Sequence, residues 1–227
     1  MRKLIKAAPN AITLCNLFCG CLATVAAFEG SANTAVYFIL AGAAFDFCDG
    51  FVARLLGVQS PLGLQLDSLA DLATFGIAPS AIVYRLAAAS GLPIAVSCGA
   101  FLLAVFSALR LAKFNIDERQ TSSFVGLPTP ASALAVCGAA FDVPFAAARF
   151  VPLLVPALCF LLVCSLPMFS LKVKRSALKL DFANALRLLQ AIGTATFVAL
   201  LGIRGLFPAI ALYVLLSAIA RNKTKQY

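Results

Sequence analysis

Histidine is absent from this chain, and charge of either sign is scarce. Only 12% of its 227 residues are charged, about half the share of a soluble domain. Nine are acidic and eighteen basic, giving a net charge of +9. Without imidazole, acid–base chemistry must fall to Asp, Glu, Lys, Tyr or Cys. The lack of any matched CxxC pair, together with the missing histidine, argues against a zinc site at Cys15, Cys19 and Cys21. All eight cysteines (with Cys48, Cys98, Cys137, Cys159 and Cys164) lie in apolar surroundings and read as small hydrophobes. No soluble domain, low-complexity tract or internal repeat is visible. The basic start, Met1 to Asn10, precedes an apolar run with no small-residue cleavage site ahead of a polar domain. It reads as a cytoplasmic lead-in to a first helix.

What is present is apolar: 62% hydrophobic residues and a mean hydropathy of +0.98. The expected fold is an all-α, polytopic transmembrane helical bundle of about eight helices (six to eight), forming a single domain over 1–227. Windows near the ~20 residues needed to cross a bilayer fall at roughly 11–29, 33–55, 64–88, 92–115, 127–145, 150–169, 185–203 and 205–220. With the N-terminus inside, the cytoplasmic side collects Arg2, Lys3, Lys6, Arg54, Arg110, Lys113, Arg119, Lys172, Lys174, Arg175, Lys179, Arg187, Arg221, Lys223 and Lys225. The outer side collects Arg85, Arg149 and Arg204. That bias places both termini in the cytoplasm. The basic residues are scattered over membrane-edge loops, so they suit anionic lipid headgroups and give no footprint for nucleic acid. A short cytoplasmic surface segment is expected near 171–184.

Four aspartates interrupt this apolar background within 26 residues: Asp46, Asp49, Asp67 and Asp71. Each costs roughly 2.5–3.5 kcal/mol at bilayer depth even on a lenient scale, so a compensating partner is expected. Spacings of three and four put each pair on one helical face. Gly42, Gly50 and Ala53 share the first face, and Gly63 and Ala70 flank the second, so two helices can approach closely. Four oxygen donors favour Mg²⁺ or Mn²⁺, and two such ions suit a diphosphate undergoing in-line displacement. Arg54 offers a guanidinium fork for phosphate oxygens, and Gly50 and Gly63 leave room for a nucleotide. One of the carboxylates is a candidate general base. Carboxylates paired with Arg54 or other helices, or lining an ion pathway in a cation-coupled transporter, remain the competing readings.

The string D-x2-D-G-x2-A-R-x8-G-x3-D-x3-D over 46–71 resembles the signature of the CDP-alcohol phosphotransferase family, with all eight defining positions present. The resemblance implies a membrane enzyme with two divalent ions at the cytoplasmic face. Asp46, Asp49, Asp67 and Asp71 would be the metal ligands, and Asp71 also the catalytic base. It further implies that Gly50 and Arg54 contact the CDP diphosphate and that Ser60 contacts the nucleotide-lipid, beside Ala53 and Gly63. A homodimer is the oligomeric state it suggests.

The acceptor alcohol rests on other segments. Pro9 to Gly20, and Arg110-Leu111-Ala112-Lys113-Phe114-Asn115 followed by Phe124-Val125-Gly126-Leu127-Pro128-Thr129-Pro130, resemble the integral-membrane branch of that family that uses L-serine. That branch usually carries Arg where Lys113 stands, and Lys113 keeps the charge but loses the bidentate fork. The resemblance implies transfer of a phosphatidyl group from CDP-diacylglycerol to L-serine, in a prokaryotic cell membrane. Arg110, Lys113 and Asn115 are the expected acceptor-binding residues. Asn10, Thr13 and Asn16 form a polar edge on helix one, and Asn10 and Thr13 are candidates for holding the CDP-lipid. Ordinary membrane-edge anchoring competes for Arg110 and Lys113, and helix capping for Asn10. Glycerol-3-phosphate or inositol phosphate as acceptor, and an archaeal-type ether-lipid donor, stay open.

Overall fold

Apolar runs punctuated by Gly, Pro and Ser fold into helices that turn back on one another. The computed structural model describes residues 2–58, 60–116, 124–164, 166–168 and 182–224. Most of the segment expected on the surface near 171–184, and Arg119, lie outside the described residues. In chain order the helices are α1 (Arg2–Phe28), α2 (Ala32–Leu56), α3 (Pro61–Asp71), α4 (Ala78–Ala89), α5 (Ile94–Cys98), α6 (Leu102–Ile116), α7 (Thr129–Ala140), α8 (Phe145–Ala148), α9 (Leu154–Val163), α10 (Phe182–Leu201) and α11 (Leu206–Thr224). A π-helical stretch, Leu72–Ile77, joins α3 to α4 without a break.

Six stretches are long and apolar enough to cross a membrane: Ala8–Phe28, Ala32–Leu56, Pro61–Ala89, Ile94–Ile116, Ala146–Val163 and Asn184–Ala220. The protein is an integral membrane protein. The last stretch is a hairpin, because the turn Gly202–Gly205 folds α11 back along α10. Gln190 on α10 donates to the Ala209 carbonyl on α11 at 3.1 Å, and Gly193 faces Leu212 across the same seam. The six stretches fall within the six to eight expected, and α7 is a further, shorter apolar helix among the described residues. α7 has 12 residues, about 18 Å of helix, too short to cross a ~30 Å hydrocarbon core alone.

The turns follow from local chemistry. α2 stops where Gly57 takes a left-handed conformation (φ +61°), letting Val58 N–H bond the Ala53 carbonyl. α3 starts on Ser60, whose hydroxyl accepts from Gly63 N–H at 3.0 Å, with Pro61 in the first turn.

The core is built from small side chains on crossing helices. Ala23, Ala27, Ala35, Val36, Ile39, Phe75, Ala78 and Ile82 are buried together between α1, α2 and α4. Leu103, Leu127, Val136, Leu158, Leu162 and Met168 form a second buried cluster around α6, α7 and α9. A two-residue antiparallel pair, β1 (Phe124–Val125) with β2 (Pro167–Met168), closes one end of that cluster.

The bundle therefore has two ends. At one lie the starts of α1, α3 and α7 and the ends of α2 and α6. At the other, Asn33 at the start of α2 exchanges hydrogen bonds with Asp142 (2.7 and 2.9 Å). Arg204 in the α10–α11 turn donates to the carbonyls of Asp142 (2.7 Å) and Phe141 (3.3 Å). Arg85, beside Gly30 in the α1–α2 turn, and Arg204 belong to this second end.

Candidate active site

The carboxylates converge because three helices cross without bulk between them. Asp46 and Asp49 come from α2, Asp67 and Asp71 from α3, and α1 packs against both. Oxygens of Asp46, Asp49 and Asp67 all lie within 4.8 Å of one another. The Asp71 carboxyl stands within hydrogen-bonding reach of Asp46 but outside that tight group of three. Among the described residues no Lys or Arg forms an ion pair with any of the four; the ion pair found is Arg204 with Asp142 at the far end. Arg54, the cation nearest in sequence, forms no ion pair with them among the described residues. Three hard oxygen donors so close together, with no bound cation of the protein's own, fit a divalent metal ion.

By helix rise, Asp67 lies about 9 Å and Asp71 about 15 Å from the start of α3 at Pro61.

α1 supplies the groups that orient the carboxylates. The Thr13 hydroxyl is 2.5 Å from Asp49 Oδ2 and 3.0 Å from the Pro9 carbonyl. The Asn16 amide donates to Asp71 Oδ1 at 3.5 Å. Asn16 is fully buried, and its backbone carbonyl accepts from the Thr74 hydroxyl at 2.9 Å. The approach depends on Gly42: a Cβ there would meet Thr74 Cγ2 at 2.6 Å and Asn16 Oδ1 at 2.9 Å. Thr74 belongs to the π-helical stretch directly after Asp71. Such stretches recur at functional sites because they re-aim the side chains around them.

The residues expected to hold the CDP-lipid surround the same end. Asn10 lies inside α1, which extends back to Arg2, so helix capping does not explain it. A Cβ on Gly63 would come within 3.1 Å of both Asn10 Oδ1 and Ser60 Oγ; the bare glycine brings these polar groups side by side. Gly50 opens onto free space, with nothing within 4 Å of where a Cβ would stand. Ala53 is half-buried, and Arg54 is exposed in the last turn of α2.

The three expected acceptor residues separate. Arg110 is buried, donating to the Thr129 hydroxyl at 3.0 Å, and it interacts electrostatically with Asp71 and with the Tyr213 phenol of α11. Membrane-edge anchoring does not describe it. Lys113 is exposed, as an edge cation would be. Asn115 donates to the Ser68 hydroxyl at 2.9 Å, one residue from Asp67. Thr74, Ser68 and Tyr213 escaped the sequence reading, and Asn16 and Thr129 were noticed without a role. Their signal was faint: single polar residues in apolar runs, at helical spacing from residues already suspected.

A helical membrane protein with a cluster of acidic oxygens at one end of the bundle is the class that fold and site define. Residues 6–169 match the family model described as CDP-alcohol phosphatidyltransferase, and the chain belongs to that family. The CDP-diacylglycerol–serine O-phosphatidyltransferase of Bacillus subtilis (strain 168) is 41% identical over 122 residues, 54% of this chain and 68% of that protein. The protein of the same name from Helicobacter pylori (strain J99) is 37% identical over 130 residues, 56% of this chain and 54% of that protein. A Saccharomyces cerevisiae relative, again of that name, is 39% identical over 116 residues, 47% of this chain and 41% of that protein. The match thus spans about half of the Helicobacter relative and less of the yeast one.

Proposed function

We propose that this protein transfers the phosphatidyl group of CDP-diacylglycerol to the hydroxyl of L-serine, releasing CMP and phosphatidylserine. The observation that carries the reading is the group of three carboxylates within 4.8 Å, with Asp71 beside it and the buried Arg110 interacting with Asp71. The relatives' names supply the acceptor, and Arg110 is compatible with it, because the serine carboxylate needs a cation.

Asp46, Asp49 and Asp67, completed by Asp71, would hold divalent ions, with Mg²⁺ or Mn²⁺ suited to these donors. Such ions, when bound, neutralise the diphosphate and stabilise the departing CMP. Asp71 accepts the proton of the serine hydroxyl. The serine oxygen then bonds to the phosphatidyl phosphorus, and the bond from that phosphorus to the bridging diphosphate oxygen breaks, leaving with CMP. Asn16 keeps one Asp71 oxygen engaged, which leaves the other to face the acceptor. Thr13 does the same for Asp49.

Gly50 lets the nucleotide approach the α2 backbone, Arg54 reaches the diphosphate from the exposed end of α2, and Asn10, Thr13, Ala53, Ser60 and Gly63 line the rest of the CDP-lipid site. Arg110 receives the acceptor carboxylate, with Lys113 and Asn115 at the approach to it. The site would face the cytoplasm in a prokaryotic plasma membrane, with both termini inside, anionic headgroups around the basic loops, and two chains forming a homodimer. A cation-coupled transporter fits less well: α2 runs unbroken through Asp46 and Asp49, where a transporter would unwind its helix to coordinate an ion.

The test is purified protein with Mn²⁺ or Mg²⁺, CDP-diacylglycerol, and labelled L-serine, glycerol-3-phosphate and inositol phosphate. Phosphatidylserine should form in step with CMP. Reaction of another acceptor and not serine overturns the acceptor and keeps the family; a parallel arm with an ether-linked CDP-lipid tests the donor.

A further inference from the structure

Beyond Arg110, α6 and α7 carry buried polar groups that have no hydrogen-bond partner among the described residues. Arg110 near the end of α6 bonds Thr129 at the start of α7, and this contact is where the two helices meet. One turn along each lies a serine: Ser107, three residues before Arg110, and Ser132, three residues after Thr129. Both are fully buried. Among the described residues neither hydroxyl oxygen has a hydrogen-bond partner, and neither does Arg110 Nε. Leaving a buried polar group unpaired costs about 1–3 kcal/mol, and native interiors rarely tolerate several together. Three on adjoining turns of α6 and α7 offer a set of open hydrogen-bonding positions.

The seam also adjoins the base. Gly76, in the π-helical stretch five residues beyond Asp71, lies against α6, and a Cβ there would stand 3.2 Å from the Ser107 Cβ. The open groups are a guanidinium N–H, which can only donate, and two hydroxyls, which can also accept. An anion beside the first and a cationic N–H donor beside the others would satisfy all three. A 2-amino acid carries both charges on one carbon.

Resting on the proposed function, we infer that Ser107 and Ser132 are specificity residues of the acceptor site. Their hydroxyl oxygens accept from the ammonium of the incoming amino acid while Arg110 holds its carboxylate. The acceptor hydroxyl, on the neighbouring carbon, is then turned toward Asp71. Thr129 is a positioning residue, keeping one Arg110 nitrogen engaged so that Nε points into the seam. Neither serine was suspected from the sequence, and neither belongs to the metal cluster. The ligand chemistry they define is a zwitterion, which a phosphorylated polyol does not match.

The experiment compares wild type with Ser107→Ala, Ser132→Ala and the double variant, titrating L-serine and, separately, 3-hydroxypropionate, which keeps the hydroxyl and carboxylate but has no amine. The double variant should raise KM for L-serine at least about tenfold, the worth of two ordinary hydrogen bonds, with KM for CDP-diacylglycerol unchanged. The wild-type preference for L-serine over 3-hydroxypropionate should fall toward unity. Because the hydroxyls bond nothing among the described residues, the melting temperature in detergent should not fall, a result that a structural role for these serines would not give. Ser132→Val, which fills the seam, should raise KM for L-serine further. Unchanged KM and unchanged preference, with wild type turning over serine, overturn this inference alone. Failure of wild type to use serine at all overturns the acceptor reading and this inference with it.

Discussion

Thr13 on α1 places its hydroxyl 2.5 Å from Oδ2 of Asp49 on α2, a contact between residues 36 apart in sequence. Through it the first helix orients a carboxylate of the acidic cluster. Removing a group that orients a metal ligand typically lowers metal affinity or activity 10–100-fold. Thr13→Val keeps the shape and deletes the hydroxyl. Its activity should drop by about that factor at limiting Mn²⁺ and recover substantially as Mn²⁺ is raised, read from the metal dependence of CMP release.

Gly42 and Gly50 lie eight residues apart on α2 and should respond in opposite ways. Gly42→Ala drives a methyl into Thr74 and Asn16; overpacking of this kind costs about 1–3 kcal/mol and should lower the melting temperature in detergent. Gly50→Ala meets open space and gains about 0.5–1 kcal/mol of helix preference. Stability should hold or rise while KM for CDP-diacylglycerol increases, because the methyl enters the path of the nucleotide.

At the far end, the bonds linking Asn33, Asp142 and Arg204 hold the start of α2 to the loops after α7 and α10. Asn33→Ala removes both side-chain bonds to Asp142, each worth about 1 kcal/mol. Thermal stability should fall by roughly 1–2 kcal/mol, with kcat and both KM values unchanged. A change in serine KM would contradict the separation of the two ends.

Sidedness is testable with an impermeant maleimide on a cysteine-free background. Ser60→Cys should be labelled only from the cytoplasmic face and Asn33→Cys only from the opposite face. The reverse pattern would contradict the proposed cytoplasmic site.

Much of this was legible beforehand because membrane helices announce themselves by composition. The apolar windows at 11–29 and 33–55 agree to within a few residues with Ala8–Phe28 and Ala32–Leu56. The four aspartates stood out because nothing apolar explains them, and their spacing carried the family. The π-helical stretch after Asp71 left no mark, since Leu72 to Ile77 reads as ordinary helix. Arg110 was ambiguous for a physical reason: charge statistics put arginine at a membrane edge, and only the partner helix bearing Thr129 shows that it turns inward. Asn10 was ambiguous in the same way, because a proline and an asparagine before an apolar run imitate a helix start, whereas α1 begins earlier. The division between the tight group of three aspartates and Asp71 depends on how α2 and α3 cross, which spacing along the chain does not specify.

The central claim is that Asp71 is the base of a phosphatidyl transfer whose diphosphate is bound at the neighbouring carboxylates. The direct measurement is CMP release from CDP-diacylglycerol and L-serine by wild type and Asp71→Asn, with CDP binding to both followed in parallel at saturating Mn²⁺. The account predicts a loss of turnover of 10²–10⁴-fold or more, the usual contribution of a general base, with nucleotide binding largely retained. Turnover by Asp71→Asn near the wild-type rate would contradict it.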